Sequence, residues 1–318
     1  MRTLIKIVVG IAVVLVVGVA IAFLLNLRRE GDLLERFPPP GKMVDIGGRR
    51  LHLQCRGADT KPVVVFENGA FATTVWYRAA FDEVAKIALV CMYDRAGLGW
   101  SDPVPAPRSL GARVDDLHAL LEKAHESPPY ILVGHSMGGL LARIYTKKFP
   151  NDVAGLVLIE SSEEQMNGSQ RSERESAENA KQIGIGAMVL SLGIQIPQVR
   201  FPNGPADQEI IQRASVFRAG QDDLLAMSRL TEELQSIGNL EALDDLPLVV
   251  VQQGRPDPNR TMERAKEWRE AQARLARLST RSEELVAERS WHSVMNDEPE
   301  MYRIAVAKVL DMIRTDTE

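Results

Sequence analysis

The chain has 318 residues, 45% of them apolar and 25% charged, with a net charge of −5. Those values are those of a globular protein with ample chain for a core, and the mild acidity points away from a nucleic-acid partner. The two cysteines, Cys55 and Cys91, make neither a zinc pattern nor a disulfide framework, and the five histidines show no metal-ligand spacing, so neither a metal nor another cofactor is expected.

In chain order, Ile7–Leu25 is an unbroken apolar run of 19 residues. About 20 such residues span a bilayer, whereas the apolar region of a signal peptide is usually ~7–15 long. The length favours an uncleaved, single-pass anchor over residues 1–29, although Ala20-Ile21-Ala22 would also serve as a cleavage signature. Two basic residues lie on each side (Arg2 and Lys6, Arg28 and Arg29), so the charge rule hardly orients the segment. The free N-terminus, with Glu30 and Asp32 beyond the run, tilts the reading toward an extracytoplasmic domain. Residues 30–42, with Pro38-Pro39-Pro40, are expected to be an extended spacer that keeps anchor and domain energetically separate.

Strands of a hairpin, 43–46 and 50–55, flank Gly47-Gly48. A strand follows at 62–66, a helix at 76–86, a strand at 87–93, and a helix from Ser109 to about Ala124, with Ser109 as its N-cap. Further strands are expected at 130–135, 154–159, 247–251 and 284–288, and a closing helix at 301–313. Strands alternating with helices predict an α/β fold with a mostly parallel sheet. Residues 161–245 are too long for a crossover and carry apolar clusters at 183–192 and 216–230, which reads as a helical cap between core segments 43–160 and 246–318.

The sharpest feature is Gly134-His135-Ser136-Met137-Gly138 between the strand at 130–135 and a helix pattern. Glycines on both sides of the serine permit a strained strand-to-helix turn that lifts the hydroxyl clear of the sheet and aims the Met137 N–H at the same place. A hydroxyl is a weak nucleophile at neutral pH and needs a base and an oxyanion site.

With Glu67-Asn68-Gly69-Ala70, Tyr93-Asp94-Arg95-Ala96-Gly97 and Ser290-Trp291-His292, this pattern resembles the α/β-hydrolase superfamily over roughly residues 43–315. The Tyr-Asp-Arg-Ala-Gly segment resembles a bacterial branch of it. The resemblance implies an eight-stranded sheet, Ser136 as nucleophile and His292 as base. For the acid it leaves two candidates: Asp257, in the loop after the strand at 247–251, and Glu160, at the end of the strand at 154–159. It implies an oxyanion hole from the N–H groups of Met137 and Ala70, with Phe71 as the alternative second donor, and a bracing role for Asp94 and Arg95. The expected reaction is hydrolysis of a small or lipid-like ester, less readily an amide or thioester, through an acyl-enzyme and without cofactor or metal. An acyltransferase, a cofactor-free haloperoxidase and a non-catalytic ligand-binding protein are the alternatives.

Overall fold

The structure is a computed structural model that describes residues 1–194, 196, 205–240, 242–258 and 260–315. Its N-terminal helix α1 spans Arg2–Arg36, and the first strands are β1 (Lys42–Asp45), β2 (Arg50–Arg56) and β3 (Val63–Glu67). Helix α2 (Arg78–Val84), β4 (Val90–Tyr93), α3 (Leu110–Ala124), β5 (Tyr130–His135), α4 (Met137–Lys148) and β6 (Val153–Ile159) follow. The expected cap carries α5 (Glu164–Asn167), α6 (Gln170–Ser191), α7 (Pro205–Ile211), α8 (Ala214–Met227) and α9 (Leu230–Ile237). The core resumes with β7 (Leu248–Gln253), α10 (Met262–Ala276), β8 (Ser282–Ala287), α11 (Val294–Asp297) and α12 (Glu300–Thr315). Cap residues 195, 197–204 and 241 lie outside the described residues.

The strands form one eight-stranded sheet in the order β1-β2-β4-β3-β5-β6-β7-β8. Only the pairs β1–β2 and β2–β4 are antiparallel; the rest run parallel. The central strands are near-continuous runs of apolar residues because both faces are covered. Val63 and Val65 of β3 pack on one side with Leu156 and Leu158 of β6, while Val64, Phe66, Val157 and Ile159 pack on the other. This layering sets the C-terminal ends of β3, β4, β5, β6 and β7 along one rim, where the candidate residues lie.

Three sequence expectations change. First, residues 30–36 are helical rather than extended, because α1 runs unbroken to Arg36. Its apolar length is exposed, but its last turns pack on the domain. Leu33 is buried with Val75, Trp100, Ile210 and Ile211; Glu30 accepts the Ala214 N–H (3.1 Å) at the start of α8; and Trp100 donates from its indole to the Phe37 carbonyl (2.9 Å). The helix and the domain are therefore coupled, since burying one leucine is worth about 1.5–3 kcal/mol.

Second, Cys55 and Cys91 are joined by a disulfide. They are 36 residues apart in sequence but face each other in the antiparallel β2–β4 register, which spacing alone does not reveal. Third, α10 was not anticipated between β7 and β8. Its core residues Ala265, Trp268, Ala271, Gln272 and Leu275 recur at helical spacing behind the N-cap Thr261, whose hydroxyl accepts from the Arg264 N–H.

Candidate active site

The elbow takes the shape that its glycines permit. Ser136 joins β5 to α4 at φ +54°, ψ −125°, a conformation a non-glycine residue holds only when its surroundings impose it. Here the Ser136 N–H donates to the Ile159 carbonyl (3.2 Å), and the Ser136 carbonyl accepts from Gly139 and Ser162 (3.0 and 2.9 Å). A Cβ at Gly138 would stand 2.0 Å from the Glu67 carbonyl oxygen, so the start of α4 can pass the end of β3 only as glycine. Met137 opens α4, and its N–H is among the first-turn donors that have no partner within a helix.

Glu160 lies one residue past β6, fully buried and also at positive φ (+45°). Its Oε1 accepts the Gln253 N–H (2.8 Å), and its Oε2 accepts the indole N–H of Trp268 (2.8 Å) and lies 3.3 Å from His292 Nδ1. The edge of the Trp268 ring packs against the His292 ring at 5.6 Å. Asp257 pairs instead with Arg260 (3.3 Å), whose guanidinium lies 4.1 Å over the Trp268 ring. The structure thus brings Glu160 to the histidine and Asp257 to Arg260. Burial pushes the Arg260 pKa down, against the opposing pull of Glu160 and Asp257.

His135 belongs to the same assembly. Its ring lies 4.8 Å from that of His292, tilted by 43°. His135 Nε2 lies 2.9 Å from the His292 carbonyl, and Nδ1 lies 2.7 Å from the Tyr77 hydroxyl, which accepts the Gly69 N–H at 3.0 Å. One tautomer satisfies all three contacts. Nε2–H donates to the carbonyl, Nδ1 accepts from Tyr77, and Tyr77 accepts from Gly69. Burial, with the nearby His292 ring, lowers the His135 pKa to about 3, which keeps the ring neutral. This relay ties the loop after β3 to the loop that carries His292.

The loop after β3 is held from its other side. Arg95, buried, donates to the carbonyls of Asn68 (2.7 Å) and Gly69 (2.6 Å) and to Glu67 (2.9 Å) and Asp223 (2.9 Å). In a trans peptide the N–H points opposite the C=O. Holding the Gly69 carbonyl toward Arg95 therefore sends the Ala70 N–H to the other side of that peptide. The Phe71 N–H is already given to Asp223 (3.0 Å), which removes it as a free oxyanion donor. Asp223 comes from α8, and so does Gly220, where a Cβ would stand 2.1 Å from the Phe71 ring. Burial works against ionisation of Asp223, but Arg95 and Arg113 on either side hold its pKa below the ordinary carboxylate value. The helical insertion thus braces the candidate oxyanion loop. Asp94 stabilises the neighbouring turn: it accepts from the Thr74 N–H (2.7 Å) and lies 2.8 Å from His52.

Sequence reasoning missed Trp268, Tyr77, Asp223 and the relay role of His135. Only Trp268, on the apolar stripe of α10, carried a detectable signal.

Comparison with known proteins agrees with this architecture. A family model described as alpha/beta hydrolase fold matches residues 62–180. An uncharacterized protein of Schizosaccharomyces pombe is 27% identical over 202 residues, 61% of this chain and 36% of that protein. An uncharacterized vacuolar membrane protein of Saccharomyces cerevisiae is 34% identical over 111 residues, 33% of this chain and 17% of that protein. The chain thus spans well under half the length of either relative. A solved membrane phospholipase A, described as a bacterial virulence factor, superposes with a TM-score of 0.61 at 19% identity, covering 98% of this chain and 99% of its own. At that identity the likeness is one of fold.

Proposed function

We propose that this chain, an α/β-hydrolase-fold protein, is a membrane-anchored serine hydrolase that cleaves a carboxylic ester of a small or lipid-like molecule. The observation that carries the reading is the contact between His292 Nδ1 and the buried Glu160 carboxylate, 3.3 Å apart, at the end of the strand next to the elbow strand. In this reading Ser136 is the nucleophile. His292 takes its proton through Nε2, and Glu160 fixes the ring tautomer and stabilises the imidazolium. The Met137 and Ala70 N–H groups receive the oxyanion. The acyl–oxygen bond then breaks as His292 returns the proton to the departing alcohol. Water, deprotonated by the same histidine, cleaves the acyl-enzyme to release the acid. Asp257 takes the part of a partner for Arg260.

Membrane association is supported by the length and apolarity of α1 and by the likeness to a vacuolar membrane protein. In this reading α1 is a single-pass anchor, with the hydrolase domain on the non-cytoplasmic side. The fold of a membrane phospholipase A over nearly the whole chain supports lipid-like acyl esters as the substrate class.

The test is labelling of the full-length protein with a fluorophosphonate, followed by turnover of acyl esters of graded chain length. Native protein should label at Ser136 and hydrolyse esters, and Ser136→Ala should do neither while unfolding at the native temperature. Labelling of another serine in the variant would overturn the assignment. Labelling without turnover in water, but with acyl transfer to an added alcohol, would make the protein a transferase.

A further inference from the structure

A cavity of about 550 Å³ opens where α1 meets the cap, between α8 and the loop that follows β4. Among the described residues that line it, none is Ser136, Glu160 or His292. One wall is apolar and includes Leu27, Pro103, Val104 and Ala106. The other is cationic.

Pairing off the charges leaves a surplus. Arg95 and Arg113 are committed to Asp222 and Asp223, and Arg108 to Asp116. What remains is Arg213, which stands beside Glu30 and also feels the charges of Asp94 and Asp102, and Arg218, which donates to the Ser191 hydroxyl. Arg213 is 7% exposed, donates from Nη1 to the Gly99 carbonyl, and stands 4.0 Å from the Glu30 carboxylate, with no hydrogen-bond partner on Nε. Glu30 is already engaged with the Ala214 N–H. The hydroxyl of Ser215, on the same wall, is also buried without a partner. A buried guanidinium without a close-fitting carboxylate is costly, and an anion placed beside it removes that cost. Arg218 is at the exposed mouth, held by the Ser191 hydroxyl (2.6 Å).

Position identifies the kind of anion. Leu27 and Glu30 lie just past the end of the apolar run of α1, at the level of the headgroups if that run crosses the bilayer. A cationic pocket with one apolar wall at that depth fits a lipid with its phosphate between the arginines and its first methylenes along Leu27 and Val104. We propose that this cavity binds the phosphate of an anionic phospholipid, at a site separate from the hydrolytic centre. The inference rests on the anchored reading of α1 but not on hydrolysis.

The experiment uses full-length protein in a neutral detergent, carrying Ser136→Ala so that no lipid is consumed. It is titrated with short-chain phosphatidylglycerol, with the matching phosphatidylcholine, and with inorganic phosphate. Native mass spectrometry counts the adducts, and the unfolding temperature reports stabilisation. Phosphatidylglycerol should bind one-to-one and raise the unfolding temperature, while the other two should not. Arg218→Gln should weaken that binding about tenfold, the loss of one charge-assisted hydrogen bond, without moving the unfolding temperature of the lipid-free protein. Arg213→Gln should weaken it too, but that residue also holds Gly99, so the exposed Arg218 is the deciding variant. Equal binding of phosphatidylcholine, native affinity in Arg218→Gln, or an equal response to inorganic phosphate would each overturn the proposal. Whether α1 spans a membrane is read separately, by resistance of the membrane-bound protein to an alkaline wash.

Discussion

Glu160→Gln is the substitution on which the active-site reading turns. The carboxylate accepts three N–H groups, from Gln253, Trp268 and His292. An amide has one acceptor oxygen, so whichever way it turns, at least one buried N–H faces an NH2 group. An orphaned buried donor costs about 1–3 kcal/mol of stability. The cost to catalysis is larger, because the amide cannot stabilise an imidazolium and disfavours the tautomer with Nδ1 protonated. The corresponding change in a serine protease lowers kcat about 10⁴-fold, roughly 5.5 kcal/mol of barrier. Asp257→Asn removes the charge that faces Arg260 and should leave turnover within about threefold, since His292 meets Glu160 rather than Asp257. Both variants are assayed against a chromogenic acyl ester and for the rate of fluorophosphonate labelling, with the unfolding midpoint as the control for folding. Glu160→Gln within tenfold of native turnover, or a collapse of activity in Asp257→Asn, would refute the reasoning.

Three further outcomes are expected. Tyr77→Phe leaves the Gly69 N–H and His135 Nδ1 without their shared partner and should lower the unfolding free energy by about 1–3 kcal/mol in denaturant titration; no change would mean the relay is absent in solution. His135, with its pKa lowered to about 3, binds its proton in the unfolded chain first, at about 6.5. Its contribution is therefore fully present above pH about 6.5 and falls with the pH, by at most about 1.4 kcal/mol per unit, down to about 3. Denaturant midpoints at pH 7 and pH 5 should differ less in His135→Gln than in the native protein, and identical differences would remove His135 as the source. A chain beginning at Gly41 loses Leu33 and the Glu30 carboxylate on α8, so it should unfold several kcal/mol more easily than one beginning at Asn26. Equal stability of the two would show that α1 does not support the domain.

The sheet and the elbow were legible because their signals are local. Apolar runs such as Val63–Phe66 and Ile131–Val133 end at glycines or turns, and Gly134 and Gly138 flank the serine. The acid was not legible. Glu160 and Asp257 follow adjacent strands, β6 and β7, and either loop can reach the same histidine in principle. The geometry that sets Glu160 beside His292 includes Trp268, more than a hundred residues from Glu160 in sequence, on a helix whose charged residues mask its apolar stripe. The extent of α1 was hidden for a similar reason. Beyond Leu25 the pattern turns mostly polar, and the few apolar residues that meet the domain, Leu33 with Leu34 and Phe37, are too sparse to announce a docked helix. The bracing of the oxyanion loop by Asp223 depends on how the insertion folds back, and no spacing in the sequence records that.

The link between Cys55 and Cys91 bears on where the domain resides. Cytosolic glutathione and thioredoxin keep such pairs as thiols, whereas secretory and periplasmic compartments leave them oxidised. A cystine stitching β2 to β4 is thus a marker of the side of the membrane on which the domain matures. Alkylation after denaturation without reductant should find no free thiol in chains whose domain has been translocated and two in chains whose domain remains in the cytosol, so the two cysteines report on topology, which the balanced charges around α1 leave open.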